Sequence, residues 1–409
     1  MLILESPSAA QAVKKASMTA MIGAAFIMAT SAIGPGFLTQ TAVFTQSYKA
    51  DFAFAILVSI ILDIGAQMNT WRIIGFTGLR GQDVGNKVLP GLGSVIAILV
   101  VLGGLAFNIG NIAGAGLGLN VLFGINVKLM AVLSAIIGIL IFLSKNAGGV
   151  MDRVAQILGG LMILLVLWVM FTSHPPVGQA VVASVAPSSY GAMMFPMITL
   201  VGGTVGGYIT FAGGHRLVDA GITGEKYLKQ ISRSSLAGVL ITGLMRVILF
   251  LAIFGVVAAG HVLAKANPPA SAFQFALGTL GYKFFGIVLW SAAITSVIGA
   301  AYTSASFLTS FGTWFRDHQK ATIIGFIVFS TLVFVLYGQP VKVLVLVGSL
   351  NGLILPLTLI TILIAAKSKR IMGAAYKHPT WLYVFGIIAL LITTYAGIDS
   401  LGGIAKLLH

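Results

Sequence analysis

The amino-acid sequence predicts an all-α integral membrane protein, a single bundle of eleven transmembrane helices. Hydrophobic residues make up 58% of the 409 residues, and charged residues only 8%. Soluble domains carry about 25% charged residues, so 24 basic and 9 acidic side chains cannot cover a soluble protein of this size. The composition therefore excludes a soluble enzyme, a nucleic-acid-binding protein and a disordered chain. The chain has no cysteine, which excludes disulfides and thiolate metal sites.

Eleven apolar stretches supply the predicted helices. A helix that crosses the hydrocarbon core needs about 20 mostly apolar residues. None of the stretches alternates apolar and polar residues as a transmembrane barrel strand does. The stretches are 18–46, 50–75, 92–118, 127–144, 149–172, 191–214, 236–260, 282–311, 321–338, 341–366 and 381–398.

The distribution of basic residues predicts the orientation. Inner loops of membrane proteins carry an excess of Lys and Arg. Placing the N-terminus inside puts 17 basic residues in inner loops and 6 in outer loops, and leaves Arg246 inside a span. We therefore expect a multi-pass protein of the plasma (inner) membrane with a cytoplasmic N-terminus and an extracytoplasmic C-terminus. The net charge of +15 then orients the chain in the bilayer and does not indicate a nucleic-acid partner.

Two of the predicted helices contain residues that interrupt a helix. Gly34-Pro35-Gly36 lies in the first span and Gly206-Gly207 in the sixth. Proline removes a backbone donor, and glycine accepts non-helical dihedral angles. Either motif alone is as compatible with close helix packing or a plain kink as with a break at a binding site. Interruptions at corresponding positions of two halves, however, are typical of an inverted-repeat transporter with a site near the membrane midplane.

This pairing predicts the organisation of the chain. We expect a cytoplasmic segment at 1–17, a first five-helix repeat at 18–172, an extracellular linker at 173–190 and a second, inverted repeat at 191–366. The eleventh helix and the C-terminal tail occupy 367–409.

Several stretches resemble the natural-resistance-associated macrophage protein (NRAMP) family of proton-coupled divalent metal transporters. Residues 23–37 resemble its first helix, 105–124 its third and 202–208 its sixth, and residues 284–311 and 349–373 resemble its eighth and tenth. The resemblance implies a leucine-transporter-type fold of the APC superfamily, with a 5+5 inverted repeat, broken helices 1 and 6, and one further helix. It also implies secondary transport of an ion or small solute.

The chain departs from the family at the positions that bind metal. Gly34 stands where the family carries a metal-binding Asp, and Phe37 where it carries Asn. Gly206 replaces a Met whose sulfur favours softer transition metals, and Tyr208 replaces a His. A divalent cation needs carboxylates or several oxygen ligands, and these are missing here. A shared scaffold is therefore not evidence that this chain transports metal ions.

Further departures affect the residues linked to proton movement. Asn108 and Asn111 stand where the third helix of the family carries two acidic residues, and Arg246 where the seventh typically carries Asn. Asp63 and Arg246 are the two ionisable residues deep within predicted spans, which by default marks a functional site. They can form a structural ion pair, act in substrate binding or coupling, or extend separately towards the membrane surface.

The candidate substrate-binding residues follow from the two interruptions and the buried charge: Gly34, Pro35, Gly36, Phe37, Thr204, Val205, Gly206, Gly207, Tyr208 and Arg246. Candidates for coupling or gating are Asp63, Asn108, Asn111 and His215, although His215 can equally be a solvated residue beside Arg216. Polar residues that can complete the pocket, or simply bond to their own helix, are Thr30, Ser31, Thr39, Gln40 and Thr210.

No His, Asp or Glu cluster in the sequence has metal-ligand spacing, and no catalytic constellation or phosphate-binding glycine loop is present. We therefore expect no enzyme activity, no cofactor and no ATP-driven step. The leading hypothesis is a secondary transporter of a small polar or anionic solute, such as a carboxylate or amino-acid derivative, with possible ion coupling. Arg246 is its counter-charge, since guanidinium groups match carboxylates. The alternatives are transport of a partly hydrated Mg²⁺ or Mn²⁺ and a non-transporting membrane sensor.

Overall fold

The computed structural model describes residue 29 and residues 32–144 and 147–408, without the side chains of 147–156, 158–159 and 406–408. The candidates Thr30 and Ser31 and most of the first predicted span lie outside these ranges. The described residues form an all-α structure without strands. Its helices are α1 (Pro35–Tyr48), α2 (Phe52–Thr77), α3 (Gly81–Val88), α4 (Leu92–Phe123), α5 (Val127–Leu143), α6 (Ala147–Thr172), α7 (Val177–Ala183), α8 (Met194–Val205), α9 (Ile209–Asp219), α10 (Leu228–Ala258), α11 (Pro268–Leu308), α12 (Thr313–Asp317), α13 (Gln319–Tyr337), α14 (Pro340–Lys367), α15 (Lys369–Met372), α16 (Thr380–Asp399) and α17 (Leu401–Leu408).

The membrane class is confirmed, whereas the number of eleven spans is not established. Within the described ranges, eight helical segments are long and apolar enough to cross a bilayer, or nine if the bent pair Gly160–Thr172 and Val177–Ala183 counts as one span. One of the eight, Pro35–Thr77, contains the end of the first predicted span and the second predicted span, joined by a short 3₁₀ turn at Lys49–Asp51. Helix α5 has only 17 residues.

Large apolar side chains on the outer surface of the bundle agree with a lipid environment. Leu140 is 61% exposed, Leu332 57% and Leu336 83%. A soluble protein rarely exposes contiguous apolar area of this kind. One large buried apolar cluster lies where α2, α8, α10, α14 and α16 meet, so these helices pack together within the bundle.

One helix begins earlier than its apolar stretch predicts. The eighth span was expected at 282–311, but α11 begins at Pro268 and bends at Gly278, where φ is +64°. The Asn267 side chain accepts a hydrogen bond from Ala270 N, and two prolines occupy the first turn, so capping starts the helix. The apolar stretch alone therefore does not predict the first turns of α11.

Both predicted helix interruptions are present. Gly34 is extended, with φ −107° and ψ −173°, and α1 begins directly after it. One helical hydrogen bond, from Ile33 N to Ala29 O at 2.8 Å, precedes the break. In the second break, Gly206 is extended and Gly207 has φ +55°, so α8 and α9 are separate helices.

Glycines hold neighbouring helices against these breaks. A Cβ on Gly114 of α4 would overlap the ring of Pro35, and a Cβ on Gly202 of α8 would overlap the backbone of Gly348 and Gly352 on α14. Close approach of backbones through small residues is the usual packing mode of membrane helices. The contact of Gly114 with Pro35 thus holds α4 against the first break.

A polar network ties the segment before α16 to α2. His378 lies within 2.9 Å of both Tyr376 Oη and Asn69 Oδ1, and Arg72 Nε donates to Tyr376 Oη at 3.1 Å. Burial, together with the positive charges of Arg72 and Lys367, lowers the pKa of His378 to about 4. The network therefore favours a neutral imidazole.

We expect Gly207→Ala to destabilise the protein by about 2 kcal/mol or more, because a left-handed backbone and a clash act together. The added Cβ would overlap Asn351 Oδ1. The control is Gly299→Ala, since a Cβ there has no neighbour within 4 Å. Unfolding temperatures of the purified variants provide the measurement. Equal temperatures for the two variants would contradict the described break.

We expect His378 to contribute stability that is lost as the pH falls from 6.5 to 4. In this window the unfolded chain binds a proton that folded His378 does not, so folding becomes less favourable towards acid. His378→Gln should flatten the pH dependence of the unfolding temperature there. Exposed His318→Gln is the control and should leave it unchanged. An unaltered slope in His378→Gln would contradict the network.

Candidate substrate site at the two helix breaks

The first break faces polar side chains of two other helices. A Cβ on Gly34 would lie 3.2 Å from Ser296 Oγ on α11 and 3.6 Å from Asn111 Oδ1 on α4. Ser296 Oγ and Asn111 Nδ2 are buried and have no hydrogen-bond partner in the described part of the chain. Buried polar groups are normally satisfied. The break thus has donor and acceptor capacity left for a ligand.

The second break rests on an amide of α14. Asn351 Nδ2 donates to Gly103 O at 3.1 Å and to Val347 O at 2.9 Å. Asn351 Oδ1 faces Gly207 and has no partner among the described residues. The Thr210 hydroxyl donates to Val205 O, the last residue of α8. The ends of the two half-helices are therefore held by side chains.

Arg246 of α10 lies against the first break. Its guanidinium carbon is 4.5 Å from the centre of the Phe37 ring, and the residue is 1% exposed. Its Nε and Nη2 have no hydrogen-bond partner within the described ranges. A buried cation without hydrogen bonds is costly, so this geometry calls for an anionic partner. Phe37, which replaces the family's Asn, here supplies the face on which the cation rests.

Asp63 of α2 lies at the second break. Its Oδ2 accepts a hydrogen bond from Thr204 Oγ1 at 2.6 Å, in the last turn of α8, and its Oδ1 has no partner in the described structure. Gln67, one helical turn further along α2, is fully buried, with both amide atoms unpartnered there. Asp63 and Gln67 thus add polar atoms from a third direction.

The direct Asp63–Arg246 ion pair that the sequence left open is not formed. The two groups interact electrostatically, yet no guanidinium nitrogen of Arg246 lies within 4.0 Å of a carboxylate oxygen of Asp63. Among the described residues, the only ion pair at that distance joins Arg80 and Asp219, at 2.9 Å. Thr204 holds one carboxylate oxygen of Asp63, and Nε and Nη2 of Arg246 have no hydrogen-bond partner in the described part of the chain.

Two coupling candidates lie away from the breaks. Asn108 Nδ2 donates to Ser330 Oγ on α13 at 3.1 Å. The expectation that His215 is a solvated residue is wrong, since it is 5% exposed and its Nε2 accepts from Gly81 N at 3.0 Å. Its ring also packs on Phe211 and Phe307, so His215 fixes α9 to the start of α3.

The remaining candidates have structural contacts. Tyr208 is buried edge-on against Phe107, with ring centres 5.4 Å apart. Gln40 Nε2 donates to Leu344 O at 2.8 Å, while Gln40 Oε1 lies beside Gly203 without a partner among the described residues. Thr39 is buried. These residues shape the walls of the site.

Sequence reasoning missed Ser296, Asn351 and Gln67. Each is a lone polar residue within an apolar span, and such residues usually bond to their own helix. The signal that finds them is spatial, because their unpartnered atoms converge on the breaks only in the folded bundle.

The chemistry of the site is that of amides, hydroxyls, one carboxylate and one guanidinium. In the described ranges, no three His, Asp or Glu side chains lie close enough to hold a metal ion. Amide and hydroxyl donors around a guanidinium match the oxygens of an anion.

We expect Asp63→Asn and Arg246→Gln to be coupled in a double-mutant cycle by about 1 kcal/mol or more, since either single change leaves the other buried charge uncompensated. Free energies of unfolding in detergent provide the measurement. The control cycle combines Asp63→Asn with His378→Gln, which should be additive. Additivity in both cycles would contradict an electrostatic link across the site.

Comparison with known proteins identifies the scaffold. The family model described as natural resistance-associated macrophage protein-like matches residues 25–401. The chain is 59% identical over 388 residues to YcsG of Bacillus subtilis, an uncharacterized membrane protein, covering 95% of both chains. Its fold is similar to a manganese transporter of Eremococcus coleocola, with 17% identity, a TM-score of 0.74, and 98% of this chain and 90% of that chain covered.

The fold is also similar to MhsT in complex with L-phenylalanine, with 15% identity, a TM-score of 0.69, and 95% of this chain and 98% of that chain covered. The expected leucine-transporter-type architecture is thereby confirmed. The chain is a membrane transporter with a small-molecule or ion substrate and not an enzyme. It belongs to the NRAMP family.

Proposed function

We propose that this protein is a secondary transporter of a small carboxylate-bearing solute, and that its transition-metal site has been lost. The observation that carries the proposal is the buried guanidinium of Arg246, whose Nε and Nη2 have no partner within the described structure. A planar guanidinium binds a carboxylate through two parallel hydrogen bonds. Arg246 would thus hold the solute at the first break.

Unpartnered donors near the two breaks support the same ligand. Asn111, Ser296 and Gln67 each offer a buried N–H or O–H group without a partner in the described part of the chain. Together they provide hydrogen bonds for further oxygens of the solute. MhsT, which shares the fold, holds an amino acid in its structure. An amino acid carries the carboxylate that this site would select.

The charges at the breaks support the proposed loss of the metal site. A divalent cation beside Arg246 would meet a buried positive charge in a low-dielectric region. Gly34 offers no side-chain ligand, and Asp63 alone supplies a carboxylate, one oxygen of which is held by Thr204. These features favour an anion over the Mn²⁺ named for the structural neighbours.

We propose that transport occurs by alternating access of two inverted repeats, residues 18–172 and 191–366, joined by the segment 173–190. The N-terminus, including 1–17, would be cytoplasmic, and the segment 367–409 would end outside. The substrate would bind among Gly34, Pro35, Gly36, Phe37, Thr204, Val205, Gly206, Gly207, Tyr208 and Arg246. Asp63, Asn111, Asn108 and His215 would couple or gate the cycle.

We expect small carboxylates, and not Mn²⁺ or Mg²⁺, to raise the unfolding temperature of the purified protein. A ligand that binds only the folded state stabilises it in proportion to the logarithm of its saturation. The panel comprises acetate, lactate, pyruvate, succinate, N-acetylglycine and L-phenylalanine, with MnCl₂ and MgCl₂. Addition of a chelator should leave the shift from a carboxylate unchanged.

The variants separate the role of Arg246 from a general loss of folding. Arg246→Gln should abolish the carboxylate shift, and Arg246→Lys should weaken binding about tenfold, because it keeps the charge without the planar fork. The control is Arg80→Gln, at a half-buried arginine that pairs with Asp219, and this variant should keep the carboxylate shift. A metal-induced shift that Asp63→Asn removes would overturn the proposal in favour of a divalent cation.

A further inference from the structure

A cavity lies at the end of the bundle remote from the Arg80–Asp219 ion pair. Helix α4 begins beside α3, which follows Arg80. Helix α4 has 32 residues and extends about 45 Å to Phe123. Beyond that end, the loops after α4, α10 and α13 line a partly open cavity of about 560 Å³. We call it the distal cavity. Its walls include Asn120, Lys128, Lys265, Asn267, Gln274 and Lys342.

The distal cavity is strongly basic. Lys128 comes from α5, Lys265 from the loop before α11 and Lys342 from α14. Its lining contains no Asp or Glu, and none of the three lysines forms an ion pair in the described ranges. Lys283 differs, because its Nζ donates to Val121 O and Leu122 O at 2.7 Å and so caps α4. The three cavity lysines have no such bond to the backbone among the described residues.

A buried amide in the same wall also points to a ligand. Asn267 is 7% exposed, and its Oδ1 accepts from Ala270 N. Its Nδ2 has no partner within the described structure. A donor left unsatisfied at this depth is costly unless something binds it. Three ammonium groups and a free N–H donor together match an anion with oxygen acceptors.

The distal cavity borders the core that contains the first break. Leu117 of α4 lines the cavity and belongs to the same buried apolar cluster as Phe37 and Leu344. Phe37 in turn carries the guanidinium of Arg246. One turn along α4 from Leu117, Gly114 touches Pro35. This apolar cluster thus connects the wall of the distal cavity to the side chain that carries Arg246.

We propose that the distal cavity is a binding site for small carboxylate or sulfonate anions and serves as the vestibule from which the solute reaches Arg246. The second part of this statement rests on the proposed function, whereas anion binding in the cavity stands without it. Anionic lipid headgroups offer the same chemistry from a different source. Asn267 is buried, and a small soluble ion can reach its side chain more easily than a lipid headgroup can.

The absence of cysteine makes the cavity accessible to a direct test. Gln274→Cys places one thiol in the distal cavity, and Gln179→Cys places one in a second cavity lined by both Lys49 and Asp51. Both glutamines are exposed. Reaction rates with a sulfonate-bearing and a trimethylammonium-bearing methanethiosulfonate are measured on the full-length protein in phosphatidylcholine vesicles. The ratio of the two rates reports the local potential.

We expect the sulfonate-to-ammonium rate ratio to be about fivefold higher at Gln274→Cys than at Gln179→Cys in 0.15 M salt, from three charges within about a Debye length. The added changes Lys128→Gln, Lys265→Gln and Lys342→Gln should remove the excess. Equal neutralisation elsewhere, at Lys226, Lys229 and Arg233, should retain it.

Sodium pyruvate at 10 mM, a concentration we set for the assay, should slow the sulfonate reagent at Gln274→Cys alone, and Asn267→Ala should reduce this protection.

Equal ratios at both positions, or an excess that survives the three lysine changes, would overturn the proposal. So would an absence of protection by pyruvate combined with suppression of the excess by phosphatidylglycerol vesicles, which would assign the cavity to lipid. The result is independent of the temperature-shift experiment. A basic cavity protected by pyruvate, in a protein that no carboxylate stabilises through Arg246, would refute the proposed function and leave the cavity site standing.

Discussion

A helix that stops in the middle of a membrane protein leaves backbone N–H and C=O groups that no lipid can satisfy, and this constraint governs the architecture. Two such interruptions exist, at Gly34 and at Gly206-Gly207. The second is held by Asn351 and Thr210, and the first is wedged by Gly114 against Pro35. Close helix packing and buried amides are therefore as necessary to the site as the breaks themselves.

Electrostatics then decides what the breaks can hold. In a low-dielectric core, an unpaired guanidinium is tolerated only beside a compensating charge or ligand. Thr204 occupies one oxygen of Asp63, and the Phe37 ring occupies one face of Arg246. The two charges interact without forming an ion pair, so the charge arrangement in the core favours binding of a second anion. The altered family positions thus act together, because Phe37 and Arg246 form one contact.

Much of the fold was readable from the chain because membrane insertion imposes simple rules. Apolar length and scarce charge predicted the class, and proline and glycine predicted both interruptions. The site was readable only in part. Ser296 and Asn351 look like ordinary polar residues of apolar helices until the fold aims their free atoms at the breaks. The prediction that His215 is solvated was wrong because it relied on the charged neighbour Arg216. In the structure, the α3 backbone and two phenylalanine rings bury His215.

The free polar groups at the first break come from different helices, with Arg246 on α10, Asn111 on α4 and Ser296 on α11. A molecule with only a carboxylate can hold Arg246 alone. A molecule with a second polar group at the right distance can join α10 to α4 and α11. Under the proposed function, tight binding and completion of a transport cycle are then separate properties. A compound that binds only Arg246 is expected to block transport, whereas one that also binds Asn111 and Ser296 is expected to be transported.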